Sequence, residues 1–471
     1  MAAKHLIGVL EELGLISLWT STLDVKLLCS QRFIRHFAYG GSTLVLVSYL
    51  QELGISKEKI GLFMTLTLVG DTAISFVLTL FADALGRKSV LAVAAILMAG
   101  SGVVFALFDN YWILLLAAVV GVISPSGNEI GPFRAIEEST LAQLTPTASR
   151  GDIYAWYSLV GTAGTAFGLM ATGWTLNYLI IDLHWGVIEA YRIVFWTYAG
   201  FGLAKLCLTL ALSREVEVEK KPDSNHDPET APLLGNDEAE VVESKKSNWL
   251  LSKLPKFSSE SRTIVMNLCA LFALDAFASG LVSLSWVTFF FHEKFHLKEG
   301  VLGSLFFTTA IIAALSMLLA SSIAKRIGNI QTMVFTHLPS SIFLALIPIP
   351  DSVSLAMLFL VLRSCTQSMD VAPRAAFLAA VVLPHERTAV MGMVNVAKSL
   401  GQSSGPFITG VLAGNGRFWV AFVVAGVLKG CYDLGILAVF KGHKTHDERD
   451  EERRVAEEEE ASHDNENTDE L

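Results

Sequence analysis

The sequence predicts an all-α membrane protein of twelve transmembrane helices, built as two parallel-repeat six-helix bundles. Three observations carry that expectation. Hydrophobic residues make up 52% of the 471 residues and charged residues only 17%, whereas soluble domains carry about 25% charged residues. Apolar runs of about 20 residues, enough to cross a hydrocarbon core of roughly 30 Å, recur along the chain. Polar landmarks of the first half return about 240 residues later in the second.

In chain order, Met1–Ser30 mixes apolar residues with Glu11, Glu12, Asp24 and Lys26 and reads as an amphipathic segment at the interface. Leu6–Leu10 is too short for the apolar core of a cleaved signal peptide. Spans are expected near 36–52, 60–81, 89–108, 112–135, 153–175 and 192–212, after Arg32 and Arg35. A second set is expected near 263–291, 300–323, 330–349, 353–380, 388–413 and 418–440. All must be helices, because lipid offers no partner to an open backbone. Residues 213–262 are rich in Glu, Lys, Ser, Asn and Pro and read as a flexible linker. The organisation expected is therefore an interfacial segment 1–31, a bundle 32–212, the linker 213–262, a second bundle 263–441 and an acidic tail 442–471.

The net charge of −10 gathers in the linker and tail and leaves no basic stripe for nucleic acid. Cys29, Cys207, Cys269, Cys365 and Cys431 form no CxxC pair and are expected to be small buried thiols. The basic residues of the linker tip the loop count toward a cytoplasmic linker and cytoplasmic termini.

The internal repeat is the most informative pattern. Gly61 and Gly303 open the second and eighth spans, and Gly86 and Gly328 close them. Glu129-Ile-Gly-Pro132-Phe-Arg134-Ala is echoed by Asp370-Val-Ala-Pro373-Arg374-Ala. Arg150, Gly164 and Gly168 are echoed by Arg387, Gly401 and Gly405 at identical spacing. Glycines four apart on the fifth and eleventh spans permit close helix approach.

Between the second and third spans, Phe81–Leu91 reads FADALGRKSVL. It resembles the G-x-L-x-D-R-x-G-R-K-x-x-L loop of the major facilitator superfamily of secondary transporters. Asp83, Gly86, Arg87, Lys88 and Leu91 match; Thr79, Phe81 and Ala84 depart from it. Gln143-Leu-Thr-Pro146-x-x-x-Arg150-Gly151 is similar to the same superfamily's E-x-x-P-x-x-x-R-G run, with Gln143 in place of Glu. The resemblance covers both halves. It implies two bundles around a central cavity that rock to expose a site to each face in turn. Drug exporters of the superfamily carry a G-x-x-x-G-P run on helix 5; here Gly401-x-x-x-Gly405-Pro406 lies on helix 11.

Ionisable residues inside spans are costly, so each is a functional candidate. Features echoed in both halves suit gating, since a substrate is rarely two-fold symmetric. Asp83, Gly86, Arg87, Lys88, Glu129, Arg134, Arg150, Asp370, Arg374 and Arg387 are thus expected to form cytoplasmic-side latches. Four mid-span charges, Asp71, Asp275, Arg363 and Lys398, show no charged counterpart in the repeat. Arg363 and Lys398 would meet an anionic group on the substrate, and Asp71 and Asp275 would take up and release a proton. The same four could instead neutralise one another as buried ion pairs. Gln367, one turn from Arg363, is expected to line the pocket with Ser279 and Trp286.

The expected function is movement of a small organic solute, anionic or zwitterionic, by a monomer in the bilayer with H⁺ as coupling ion and no cofactor or metal. A drug or metabolite efflux antiporter and a non-transporting sensor on the same fold are the alternatives. No H-x-x-E-H or G-x-S-x-G arrangement points to an enzyme. Glu229-Thr-Ala-Pro232-Leu233-Leu234 resembles an acidic dileucine sorting signal, which leaves plasma membrane and vacuolar or lysosomal membrane both open.

Overall fold

The computed structural model describes residues 15–121, 123–126, 132–147, 149–217, 259–382 and 386–440. Glu129, the sorting-signal stretch, most of the linker and the acidic tail lie outside the described residues, as do the side chains of Asp83 and Arg387. Sixteen described α-helices build twelve spans. A short α1 (Leu15–Thr20) precedes α2 (Leu23–Glu52), α3 (Lys57–Leu85), α4 (Arg87–Leu107), α5 (Tyr111–Gly121) with α6 (Pro132–Leu144), α7 (Arg150–Asn177) and α8 (Val187–Leu210). The second half runs α9 (Ser259–Leu281) with α10 (Leu284–Phe295), α11 (Glu299–Ile327), α12 (Asn329–Leu346), α13 (Val353–Thr366) with α14 (Val371–Val381), α15 (Arg387–Gly414) and α16 (Phe418–Phe440). Among the described residues, seven stretches are long and apolar enough to cross a membrane on composition alone. The more polar spans are recognised by their place in the repeat.

The spans differ from the sequence reading in two ways. The first begins at Leu23 rather than near 36, so Arg32 and Arg35 lie inside the helix and are buried. Internal partners, described below, let the helix continue through charges that a hydropathy ruler treats as a boundary. The fourth, seventh and tenth spans are each broken into two helices. In the fourth, Pro125 bars a helical residue before it and Pro132 starts the next helix at its first turn. The freed backbone is met from other spans. Thr43 donates to the carbonyl of Ser124 at 3.1 Å, and Thr409 to that of Leu281, the last residue of α9, at 2.6 Å.

Helix pairing follows the repeat. Within the halves, α2 packs along α7 as α9 packs along α15, and α4 on α8 as α12 on α16. Between the halves, α7 meets α11 and α3 meets α15, two contacts that the repeat exchanges. Both crossings run glycine against glycine. A Cβ on Gly61 would lie 2.9 Å from the Cα of Gly410, and one on Gly173 would lie 2.9 Å from that of Gly303. Only glycine lets the backbones approach this closely.

These crossings sit on the face away from the linker. Lys57 pairs with Glu293 there, and Trp174 donates to Ser304 at 2.9 Å. A single apolar core joins both halves on that face, from Tyr49 and Phe105 through Trp286 and Phe290 to Phe422. On the linker face each half keeps its own core, one around Leu91, Phe133 and Tyr157, the other around Phe272, Phe377 and Ile436. The molecule is therefore sealed on one face and parted on the other. Of the five free cysteines only Cys29 is buried, while Cys207 and Cys431 are exposed. An apolar run in a membrane helix can face lipid instead of a protein core, which corrects the expectation that all five are buried.

Candidate functional site

The three helix breaks border a cavity of about 390 Å³, walled by the second half except for Ser126 of the first. Ser126 reaches it from the fourth span, Ser283 from the seventh, and Gln367 and Ser368 from the tenth. Asp275 on α9 anchors its charged wall. Its carboxylate accepts from the Lys429 ammonium at 2.6 Å and the Arg374 guanidinium at 3.3 Å. Arg374 also pairs with Asp370, four residues before it, and Lys429 also donates to the Ser279 hydroxyl at 2.8 Å. Behind them His337 Nδ1 lies 2.9 Å from Asp433. Charges taken out of water persist inside a membrane protein where they pair or face an aqueous cavity. This cluster does both.

The opposite half holds a closed counterpart. Glu137 on α6 receives both Arg35 nitrogens, at 2.5 and 2.9 Å, the Lys205 ammonium at 2.9 Å and the Tyr157 hydroxyl at 2.5 Å. Arg35, Glu137 and Lys205 have no solvent exposure at all. The Phe133 ring lies under both cations, with its centroid 3.6 Å from Lys205 Nζ and 4.7 Å from Arg35 Cζ. Arg35 stands 240 residues before Asp275, at the same place in the repeat, and each half supplies its lysine from its last span. The repeat thus places opposite charges at Arg35 and Asp275, each in one ion-pair cluster with the lysine of its own half's last span. Asp275 does have a charged counterpart, of opposite sign, contrary to the sequence expectation.

The structure brings Asp275, Arg363 and Gln367 to one cavity and adds Asp370 and Arg374, which the sequence grouped with the latches. The partners of Asp275 are Arg374 and Lys429 rather than Arg363 or Lys398. Lys398 is half-buried on α15, with its ammonium 5.9 Å from the Phe272 ring centroid. Asp71 is buried on α3, on the side of Tyr198, and does not line this cavity. Trp286 is fully buried in the apolar core instead. Arg134 lines an adjoining cavity with Arg32 and His36 and pairs with Glu138 at 2.7 Å.

On the linker face, Gly86 and Gly328 hold φ of +88° and +85°, which only glycine adopts without strain. Gly86 turns the chain so that the backbone N–H groups of Arg87 and Lys88 reach the Glu217 carboxylate at 2.7 and 3.2 Å. The Arg87 guanidinium donates to Gln143 at 2.8 Å, and Gln143 donates to the carbonyls of Glu215 and Glu217, both at 3.0 Å. Lys88 donates to the carbonyls of Leu210 and Leu212, and Arg150 to those of Ala142 and Thr145. Glu217, at the start of the linker, thus brings a carboxylate to the place where Gln143 stands for the usual glutamate.

The family's sequence profile, described as Major Facilitator Superfamily, matches residues 28–257 and 268–464. The chain belongs to the major facilitator superfamily. It is 36% identical over 425 residues, 89% of this chain and 94% of the other, to the uncharacterized membrane protein YJR124C of Saccharomyces cerevisiae. Among solved structures it resembles the nucleoside transporter NupG, with a TM-score of 0.63 and 15% identity over 89% of this chain and all of that one. The inward open xylose transporter XylE of E. coli is similarly related, with a TM-score of 0.63 and 13% identity over 90% of this chain and 98% of that one. At such identities the likeness establishes the fold. As a member of this superfamily the chain is a multi-pass integral membrane protein of the transporter class.

Sequence reading missed Arg35, Glu137, Lys205, Lys429, His337 and Asp433. Arg35 and Glu137 fall just outside expected spans, where a hydropathy ruler expects water, while Lys205 lies inside the span expected at 192–212. Strict use of the repeat would have paired Arg35 with Asp275. Nothing in the sequence would have joined Lys429 to Asp275, 154 residues away.

Proposed function

We propose that this protein moves a small anionic or zwitterionic organic solute across a membrane by alternating access, coupled to H⁺ and acting as a monomer. The observation that carries the reading is the cavity itself. It lies in the second half and meets the first at Ser126, with a paired carboxylate in its wall. The two halves share one apolar core on one face and keep separate cores on the other. Rocking the halves about the α3–α15 and α7–α11 crossings would present the same wall to the opposite face. Asp275 faces the solute with two cations attached, so a proton on it would free Lys429 and Arg374 to rearrange. Asp71 is the second proton candidate, in the other half. The parted face is the linker face, which we assign to the cytoplasm together with both termini, making this the inward-facing form. The domain boundaries at 32, 213, 263 and 442 belong to the same proposal, with the glycine and basic residues from Gly86 to Arg387 as gates.

The test is flux in sealed vesicles holding a pH-sensitive dye, with wild type beside Asp71→Asn and Asp275→Asn. Solute-dependent proton movement that disappears in one variant names the coupling carboxylate. Proton movement unchanged in both would return these acids to structural roles. Solute binding without any flux would make the protein a sensor.

A further inference from the structure

Arg363 is the charged residue of the cavity wall with no ion-pair partner among the described residues. Asp275, Asp370, Arg374 and Lys429 pair with one another, two acids against two cations, although Asp370 Oδ1 and Arg374 Nε meet no hydrogen-bond partner. Arg363 lines the same cavity from α13, half-buried, and makes no ion pair with any described residue. Its Nε is shut off from solvent and meets no acceptor. Ser283, at the break in the seventh span, also lines the cavity, and its hydroxyl is likewise buried without a partner among the described residues. A half-buried guanidinium that faces a cavity without a counter-charge is a ready partner for a bound anion, with which it forms charge-assisted hydrogen bonds.

The rest of the wall fixes what that anion is attached to. Ligand pockets are mostly apolar, yet only six of the 21 residues lining this one are. Nine carry a hydroxyl or amide, among them Ser283, Ser340, Ser364, Gln367 and Gln402. At about 390 Å³ the cavity also lies near the small end of the usual range of roughly 300–1,000 Å³. That suits a molecule of one sugar's size.

We infer that the solute is a small, hydroxyl-rich anion whose carboxylate or phosphate is held by Arg363, while Ser283 and the facing amides bind its hydroxyls. Lipophilic drugs and bare fatty acids fit this wall poorly, since they would leave its polar groups unpaired. The inference rests on the transport reading only for its physiological meaning, because binding can be measured without flux.

The test uses the purified full chain and four probes: gluconate, glucose 6-phosphate, glucose and hexanoate. Binding is read from the rise in melting temperature with concentration, and flux from vesicle uptake of labelled probe. Gluconate or glucose 6-phosphate should bind saturably, with glucose and hexanoate weaker by roughly tenfold or more. Whichever anion binds more tightly identifies carboxylate or phosphate. Arg363→Gln should abolish that preference over glucose, and Arg363→Lys should restore part of it. Ser283→Ala and Gln367→Ala, which leave the charge in place, should weaken the preferred anion but not hexanoate. These two variants keep the test open if Arg363→Gln fails to fold. Equal binding of glucose and the anions, equal binding of hexanoate, or no response to either hydroxylated anion overturns the inference. Anion-selective binding without uptake supports it and sinks the transport reading instead; uptake of neutral glucose alone does the reverse.

Discussion

At the scale of single residues, the two buried charge triads invite unequal consequences from the same kind of change. Glu137 answers Arg35, Lys205 and Tyr157 in a space with no solvent. Removing its charge strands two buried cations, which by analogy with other buried pairs costs about 3–5 kcal/mol. Asp275 lines a cavity, so water can reach the cations that its neutralisation releases. Glu137→Gln should therefore lower the melting temperature of the purified protein sharply or abolish its folded yield, whereas Asp275→Asn should cost less. Melting curves of the two variants in the same detergent decide this. Equal losses would mean that both triads are structural. The sign reversal at Arg35 and Asp275 explains why the sequence reading gave Asp275 no charged counterpart: it compared like with like across the repeat.

At the scale of elements, the twelve spans and the positive-φ glycines at 86 and 328 were legible because helix length and turn chemistry are local. The three breaks were not. The seventh is answered by Thr409, far along the chain, and the tenth closes on its own local turns from Arg363 to Arg374. In the fourth, Pro125 and Pro132 lie inside the continuous span expected at 112–135. The same distinction applies to the loop after α3. Its glycine and basic residues could be read directly, but the carboxylate that completes it, Glu217, comes from the linker. There it accepts from two backbone N–H groups in the first turn of α4, where an anion is worth about 0.3–1 kcal/mol, up to roughly 2 when partly buried. Glu217→Gln should thus destabilise by about 1 kcal/mol at neutral pH. It should also speed proteolytic cutting just beyond residue 217, because the strap from Ser213 loses its anchor. Limited proteolysis with and without the substitution measures both together. An unchanged cutting rate would show that the segment is held by Gln143, Lys88 and Asp24, which accepts from the Ser213 N–H and hydroxyl, without Glu217.

At the scale of the whole molecule, the proposed alternating access makes the single core on one face and the paired cores on the other one end of a motion. On that proposal the contacts that join the halves on the closed face would have to break once in every cycle. Lys57 on α3 and Glu293 on α10 are one such contact, joining the halves through an exposed-rim ion pair of small intrinsic worth. The glycine crossings beneath them supply the closer packing. A covalent bond in place of the ion pair should therefore leave the structure intact and stop the cycle. The experiment needs Lys57→Cys with Glu293→Cys in a chain whose five native cysteines are replaced, since Cys207 and Cys431 are exposed and would compete for oxidant. Before oxidation the variant should take up solute. After oxidation uptake should cease, binding from the linker face should persist, and a reductant should restore flux. Persistent binding matters as much as lost uptake, because it separates a locked transporter from a damaged one. If fully cross-linked protein still moves solute, the two halves do not part on that face, and access must come through a path along the linker side alone.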